Sequence, residues 1–283
     1  MRVIKIISYL GLLLFSVSVC AQEFQGEATY KTKRKVDIKV DSTQVNAEMH
    51  QKMMDMLKKQ FEKTFILTFN QAESLYKEEL TLDKPSVGTG GDFQIMVAGG
   101  GEGNILYKNI KENRFTEQRD TFGKLFLVQD SLQQRQWTFE PDTKYIGEYL
   151  CYKATFTEEI EVMQMRMSGQ KDETEKEPET TKELKTTTVW YTLQIPINNG
   201  PEDYHGLPGL IMEVNDGDLS ILCSKIVLNP ENRITIEEPK KGKVVNQSEY
   251  DEILEKKAKE MMDMYAPKRG NRSGETFEIR IGG

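Results

Sequence analysis

Apolar and polar residues alternate over most of this chain, in short runs separated by turn-forming residues. Alternation with a period of two is typical of strands that bury one face. Between residues 105 and 158 such runs follow one another at hairpin spacing. The runs lie at 27–40, 64–69, 72–79, 105–110, 114–119, 123–129, 136–140, 149–158, 185–195, 207–214, 218–228 and 233–238. Many short strands at this spacing predict an antiparallel sheet.

Two segments have the helical period instead. Residues 45–63 and 248–265 repeat their apolar residues at spacings of three and four, as amphipathic helices do. Ser248, with Asp251 three residues later, predicts the cap of the second helix. We therefore expect an α+β fold that is mainly β. Its large curved antiparallel sheet could stay open as a half-barrel, with two amphipathic helices packed on it.

The N-terminus has the pattern of an export signal. A basic start is followed by an apolar run over residues 6–19 and by small residues before Gln22. This pattern predicts a signal peptide over residues 1–21, cleaved after Ala21. Lipidation of Cys20 is the alternative. The remaining chain has no apolar stretch long enough to span a membrane, so we expect an exported protein of the periplasm or cell envelope of a Gram-negative bacterium.

Net charge limits the partners of the mature chain, and local composition divides it into a domain, a charged insertion and a tail. The net charge of −7 becomes −9 once the two basic residues of the signal are removed, which disfavours nucleic acid as a partner. Residues 22–267 are predicted to form one sheet-rich domain. Residues 169–183 are highly charged without large apolar side chains, which indicates a loop insertion. Residues 268–283 form a polar tail with one short strand candidate at 276–281.

Two cysteines remain after signal removal. Cys151 and Cys223 each lie in a strand-like run. An even number of cysteines in an exported protein predicts a disulfide between them. Two buried free thiols are the alternative.

The most distinctive arrangement of proline and glycine residues lies in residues 190–214. Pro196 ends one strand because it cannot donate to a ladder. Gly206 and Gly209 bracket a Leu-Pro pair and allow a tight backbone corner. Alternating apolar residues then resume, so this stretch is predicted to be a structural corner between two core strands.

The same stretch resembles a known family. Gly206-Leu207-Pro208-Gly209-Leu210-Ile211 is similar to the signature of the GLPGLI family of exported Bacteroidetes-type proteins, and residues 146–154 and 189–201 resemble two further blocks of that family. The resemblance implies an exported, sheet-rich protein of unestablished activity. It brings no catalytic residues. A more distant likeness to periplasmic lipoprotein carriers implies only an open half-barrel fold.

Candidate catalytic chemistry is sparse. The chain has two histidines, His50 and His205, and no G-x-S-x-G, H-E-x-x-H or C-x-x-C motif. The Gly-rich segment near residue 100 lacks the Lys-Ser/Thr of a phosphate loop. We therefore expect no catalysis and no cofactor. A hydrolase that uses His205 is retained as an alternative.

Methionines supply the candidate ligand contacts. The predicted ligand-binding residues lie on the two helical faces: Met49, Met53, Met56, Met261 and Met262. Methionine suits adaptable apolar pockets, so we expect a non-catalytic binding or carrier module for an apolar ligand, a peptide or a partner protein of the envelope.

Soft-metal binding is the other use of these methionines. Thioethers suit Cu(I). Met53, Met54 and Met56 share one predicted helix, and Met163, Met165 and Met167 alternate on one predicted strand. A Cu(I)-binding protein is therefore a second alternative.

Overall fold

One large sheet makes up most of the structure. The computed structural model describes residues 24–35, 62–79, 104–167, 179–265 and 277–281. Its strands are β1 (Gln25–Arg34), β2 (Glu62–Asn70), β3 (Glu73–Glu78), β4 (Ile105–Asn109), β5 (Arg114–Thr121), β6 (Lys124–Ser131), β7 (Thr138–Ile146), β8 (Tyr149–Met167), β9 (Glu179–Thr192), β10 (Leu210–Asn215), β11 (Leu219–Leu228), β12 (Lys243–Val245) and β13 (Phe277–Ile281). The helix of the described part is α1 (Gln247–Tyr265).

The strands form an open sheet in the order β12-β6-β5-β4-β3-β2-β1-β11-β10-β9-β8-β13, and β7 pairs with β8 beside that path. All neighbours are antiparallel except β12 and β6. Over the described residues the sheet stays open and does not close into a barrel. The predicted fold class, mainly β with an open antiparallel sheet, is confirmed.

The first strand is central in the sheet. β1 lies between β2 and β11. Ala28, Tyr30 and Thr32 are buried, whereas Lys31 and Lys33 are exposed. The lysines therefore lie on the solvent-exposed face of a strand that is hydrogen-bonded to a neighbour on each side.

The helix packs at the other end of the sheet. Tyr250 of α1 is buried with Phe126, Val128 and Val245, and its hydroxyl is 2.6 Å from that of Thr121. The cap differs from the predicted one. Asn246 accepts from the Glu249 amide at 2.8 Å, and the Glu249 carboxylate accepts from the Asn246 amide at 3.0 Å. This reciprocal pair is a capping box two residues before the predicted pair.

Several predicted boundaries are wrong or lie outside the described residues. Glu62 and Lys63, predicted to end the first helix, begin β2, and residues 45–61 lie outside the described part. Residues 179–183, predicted as loop, belong to β9 because they pair with β8. The predicted strand at 233–238 is irregular, and Glu238 within it pairs with Arg114. The short strand predicted in the tail is confirmed as β13.

Residues 193–209, the corner segment, connect β9 to β10. Ile195, Ile197 and Leu207 of this segment are buried in the main core. The amide of Leu210 donates to the carbonyl of Ile195 at 2.9 Å. At Gly209 an added Cβ would lie 2.0 Å from the Thr192 carbonyl oxygen. The glycine is thus required by close packing of two backbones, as the sequence predicts.

Gly209→Ala tests this packing. The added methyl group would displace the end of β9, and we expect a loss of about 3 kcal/mol or more in the free energy of unfolding. Gly123→Ala is the matched control. Its Cβ would meet nothing within 4 Å, although its φ is +71°, so it should cost about 1 to 2 kcal/mol. Urea unfolding measures both, and equal losses would contradict the packing argument.

Candidate functional site

Lys108 holds the corner segment against β4. Its side chain is completely buried. The ammonium donates to the carbonyls of Gly200 at 2.8 Å, Glu202 at 2.6 Å and Tyr204 at 3.3 Å. An ammonium has three N–H donors, so the three carbonyls satisfy it. Burial nevertheless lowers the pKa of Lys108 to about 7, because a charge removed from water is disfavoured.

Arg135 holds the corner segment from a second side. Its side chain is only 7% exposed and pairs with the Asp203 carboxylate. Its guanidinium also donates to the Asp203 carbonyl at 3.0 Å. The guanidinium carbon lies 4.9 Å from the ring centroid of Tyr204 and 5.1 Å from that of Phe156. This charge is therefore enclosed by aromatic rings and fixed to the loop.

His205 lies inside this packing. It is buried, and its Nδ1 is 2.9 Å from the Asp203 carbonyl oxygen. A carbonyl only accepts, so Nδ1 carries the proton. Burial lowers the pKa of the ring. No Ser, Thr or Cys side chain of the described residues is hydrogen-bonded to His205, so the geometry gives the hydrolase alternative no support.

Glu202 is the unusual residue of the corner. Its φ of +45° is rare outside glycine and asparagine. Burial, followed by the neighbouring Asp203 charge, raises the pKa of its carboxyl to about 7. Nearby on β3, the hydroxyls of Ser74 and Tyr76 are buried without a hydrogen-bond partner in the described part of the chain. The interior beneath the corner is therefore polar and charged.

A group of aromatic side chains lies on β7 and the neighbouring strands, at the end of the core. We name Phe139, Tyr145, Tyr152 and Tyr191 the aromatic shelf. Phe139 is 61% and Tyr145 is 72% exposed, whereas Tyr191 is 6% exposed. The ring centroids of Phe139 and Tyr191 are 6.3 Å apart, and those of Tyr152 and Tyr191 are 6.0 Å apart. The shelf thus runs from the core into solvent.

Charge is segregated to the opposite face of these strands. Tyr152 pairs with Tyr191, and Tyr145 with Leu150, which places the shelf residues on one face by alternation. The ion pairs of the region involve the side chains that alternate with them. Lys144 contacts Glu213 at 2.6 Å, and Lys153 contacts Asp142 at 3.3 Å. The shelf is consequently uncharged.

β7 is an edge strand that resists further pairing. Within the described ranges it pairs only with β8. A register shift separates Phe139 from Thr143, and Pro141 lies inside that irregular segment. Proline and bulges on an edge prevent addition of another strand. A partner can therefore contact the side chains of the shelf, but it cannot add a regular strand to β7 through backbone hydrogen bonds.

The two cysteines lie in the core and are not bonded to each other in this structure. Cys151 is on β8 and Cys223 on β11, with β9 and β10 between these strands. Burial raises the pKa of Cys151 to about 11 and that of Cys223 to about 12. Three strand spacings amount to about 14 Å in a flat sheet. The disulfide stays a prediction, and it requires the sheet to curve strongly between the two strands.

The methionine predictions are not tested. Met49, Met53, Met54 and Met56 lie outside the described residues. The backbones of Met261 and Met262 lie in α1, and those of Met163, Met165 and Met167 in β8 beside β13. The described residues hold no group of three or more His, Cys, Asp or Glu able to bind a metal, which leaves thioether ligands untested.

Comparisons with known proteins give a family match but no activity. Residues 137–213 match the model of a family described as "Protein of unknown function (Porph_ging)". The match runs from β7 into β10, ends at residue 213, and includes the corner and the shelf. It is consistent with a Bacteroidetes-type family. No curated protein matches the chain. No helix of the described residues is long and apolar enough to cross a membrane.

Two solved structures are similar at low identity. "Structure of PNGF-II in C2 space group" matches with a TM-score of 0.46 and 12% identity, over 82% of this chain and 33% of that one. "Structure of PNGF-II in P21 space group" matches with a TM-score of 0.46 and 14% identity, over 83% and 33%. This chain spans about a third of those chains.

The sequence did not single out Lys108, Arg135 or the shelf. A lone lysine in the run 105–110 carries no signal of burial, because its partners are carbonyls 92 to 96 residues away. The aromatic residues of 137–156 were available as a signal. Their dense spacing around a proline marks an edge strand with apolar side chains.

Lys108→Ala tests how much the three hydrogen bonds from Lys108 to the corner segment stabilise the fold. Three buried carbonyls would lose their donor, so we expect a loss of about 3 kcal/mol or more in the free energy of unfolding. Lys153→Ala removes a lysine from a surface pair and should cost less than about 1 kcal/mol. Urea unfolding followed by tryptophan fluorescence distinguishes the two. A Lys108→Ala loss as small as the control would show that the three bonds contribute little.

Proposed function

We propose that the protein is an exported, non-catalytic binding module of the cell envelope, and that its aromatic shelf binds an apolar segment of a partner protein. The observation that carries the proposal is the exposure of Phe139 and Tyr145 beside the buried Tyr191. Large aromatic side chains anchored on a rigid sheet are the usual centres of protein interfaces. A contiguous apolar patch on a monomer is also typical of an interaction site.

The surroundings of the shelf favour an uncharged contact. Its ion pairs lie on the opposite face of β7 and β8. A charged partner side chain placed on the shelf would lose water without gaining a counter-charge. Leucine, methionine or aromatic side chains of a partner would instead bury apolar area on both sides.

The shelf also limits the form of the partner segment. Phe139 pairs with Ala154 and Tyr145 with Leu150, which places them about 13 Å apart along β8. The irregular β7 edge does not accept an added strand. The apolar stripe of an amphipathic helix covers such a length in roughly two to three turns. We therefore propose a helical apolar stripe as the occupant.

Family membership is part of this proposal. The signature at Gly206–Ile211 lies inside the matched residues 137–213, and the predicted signal peptide agrees with an exported family. We propose that the chain is a GLPGLI-type protein. In this interpretation the signature supplies the corner that supports the shelf, because Trp137 and Phe156 pack between them.

Site-specific photo-crosslinking tests the proposal in the native envelope. Benzoylphenylalanine in place of Tyr145 should give one discrete adduct, identifiable by mass spectrometry. The same probe in place of Leu184 is the control, because Leu184 is 76% exposed on β9 but lies outside the shelf. Adducts at both positions, or at neither, would contradict a partner on the shelf.

Binding measurements then test the anchors with the identified partner. Phe139→Ser and Tyr145→Ser should each weaken binding by at least about 30-fold, as truncation of an aromatic hot spot does. Leu222→Ser changes an apolar residue that is 43% exposed on the other face and should leave the affinity unchanged. Folding of all three variants is checked by circular dichroism.

A further inference from the structure

The turn that joins β5 to β6 holds a large aromatic side chain in an unfavourable backbone conformation. Thr121 pairs with Lys124, so the loop consists of two residues, Phe122 and Gly123. Both have a positive φ, +53° and +71°, as the central residues of a type I′ turn do, and such turns favour Asn-Gly or Asp-Gly. A bulky residue at a positive φ is rare, yet Phe122 is also 40% exposed. An asparagine would suit this turn better than the phenylalanine does.

Two further apolar side chains are exposed next to this turn. Leu125 of β6 is 43% exposed and Val244 of β12 is 61% exposed. Val244 pairs with Leu127, two residues after Leu125, so Leu125 and Val244 lie on one face of the sheet. We name Phe122, Leu125 and Val244 the turn patch. None of the three belongs to the hydrophobic cores of the described residues, so the patch presents apolar side chains to solvent.

The surface around the turn patch carries four exposed lysines: Lys124, Lys240, Lys241 and Lys243. Gly242 brings the last three close to β6, because an added Cβ there would lie 2.7 Å from the backbone carbonyl carbon of Phe126. Lys243 pairs with Phe126 in register, directly before Val244. The backbone of this segment therefore places the positive charges beside the apolar residues.

Acidic groups only partly offset these lysines. Asp120 lies opposite Leu125 in the ladder, and Glu237 lies three residues before Lys240. Glu238 is paired with Arg114 instead. The whole chain has a net charge of −7, so the excess of lysine is local. An anionic surface would attract this end and repel the acidic remainder, which would orient the molecule.

We propose that the turn patch and its lysines dock the protein on the surface of a membrane that contains anionic lipids. Apolar side chains at an exposed turn can enter the boundary between headgroups and acyl chains. The lysine ammonium groups are attracted to the anionic surface, and their long stems reach the headgroups while covering apolar surface. Docking of this kind needs no membrane-spanning segment.

The composition of this surface favours a lipid over an acidic partner protein. All four cations are lysines, whereas protein interfaces are enriched in arginine and depleted of lysine. The turn patch also lies at the β12–β6 end of the strand order, and the aromatic shelf lies at the β8 end. The two surfaces are separate, and docking at the turn patch does not require a partner on the shelf.

Sedimentation with lipid vesicles tests the docking. The mature chain, from Gln22 onward, is mixed with vesicles of phosphatidylcholine alone or with about one third phosphatidylglycerol. Binding should be at least about tenfold stronger to the anionic vesicles, and added salt should weaken it because salt screens exposed charges. Equal binding to both vesicles, or binding to neither, would overturn the inference. Affinity for soluble polyglutamate in place of vesicles would assign the surface to an acidic protein and would also overturn it.

Phe122→Asn separates docking from folding. Asparagine suits the positive φ of the turn, so the variant should unfold at a higher urea concentration than the parent chain. Its binding to the anionic vesicles should nevertheless fall at least about fivefold, because an apolar side chain that enters the membrane is lost. Val244→Thr should weaken binding in the same direction without unfolding the protein. Unchanged binding in both variants, or a lower unfolding midpoint for Phe122→Asn, would contradict the proposal.

The lysines are tested one at a time. Lys241→Gln and Lys243→Gln should each weaken vesicle binding about fivefold, which is the contribution of one lysine near an anionic surface. Lys182→Gln is the matched control, because Lys182 is exposed on β9 and paired with Glu159, and it should leave binding unchanged. Tyr145→Ser on the shelf should also leave it unchanged, which keeps this test independent of the proposed partner site. Equal losses in Lys182→Gln and Lys243→Gln would show a general charge effect and reject the docking surface.

Discussion

The hydrogen bonds of one buried lysine hold together parts of the chain that the sheet alone does not join. β4 is five strand spacings from β10 and six from β9 in the sheet order, yet Lys108 of β4 donates to three carbonyls of the corner that joins those two strands. These contacts require the two halves of the open sheet to face each other across the core. The corner therefore fills the interior that a closed barrel would fill with side chains.

This arrangement explains why the Gly-Leu-Pro-Gly segment is so constrained. Leu207 is buried in the core, Gly209 touches the end of β9, and Gly206 lies against the Trp137 indole. These three residues are thus held in three different surroundings. The glycine and proline residues of the corner segment are thus explained by its packing in the core. His205 of the same segment is buried by this packing.

The sequence predicted the sheet better than it predicted the site. Alternation in the runs around Tyr30 and Ile221 reports directly on burial of one face, so these strands follow from local pattern. Lys108 and Arg135 could not be predicted in this way, because their burial depends on carbonyls and rings contributed by distant segments. The extent of β9 was also underestimated, because the part that begins at Glu179 is rich in charged and polar residues such as Lys182, which pairs with Glu159 of β8.

The corner and the aromatic shelf are physically continuous. The Trp137 indole donates to the His205 carbonyl at 3.1 Å, and its ring meets that of Phe156 at 5.0 Å. Phe139 follows two residues later, at the start of β7. Any movement of the corner at His205 must therefore either break the indole bond or displace the start of β7. Because rings packed at this density do not deform continuously, the geometry of the shelf depends on how the corner is packed.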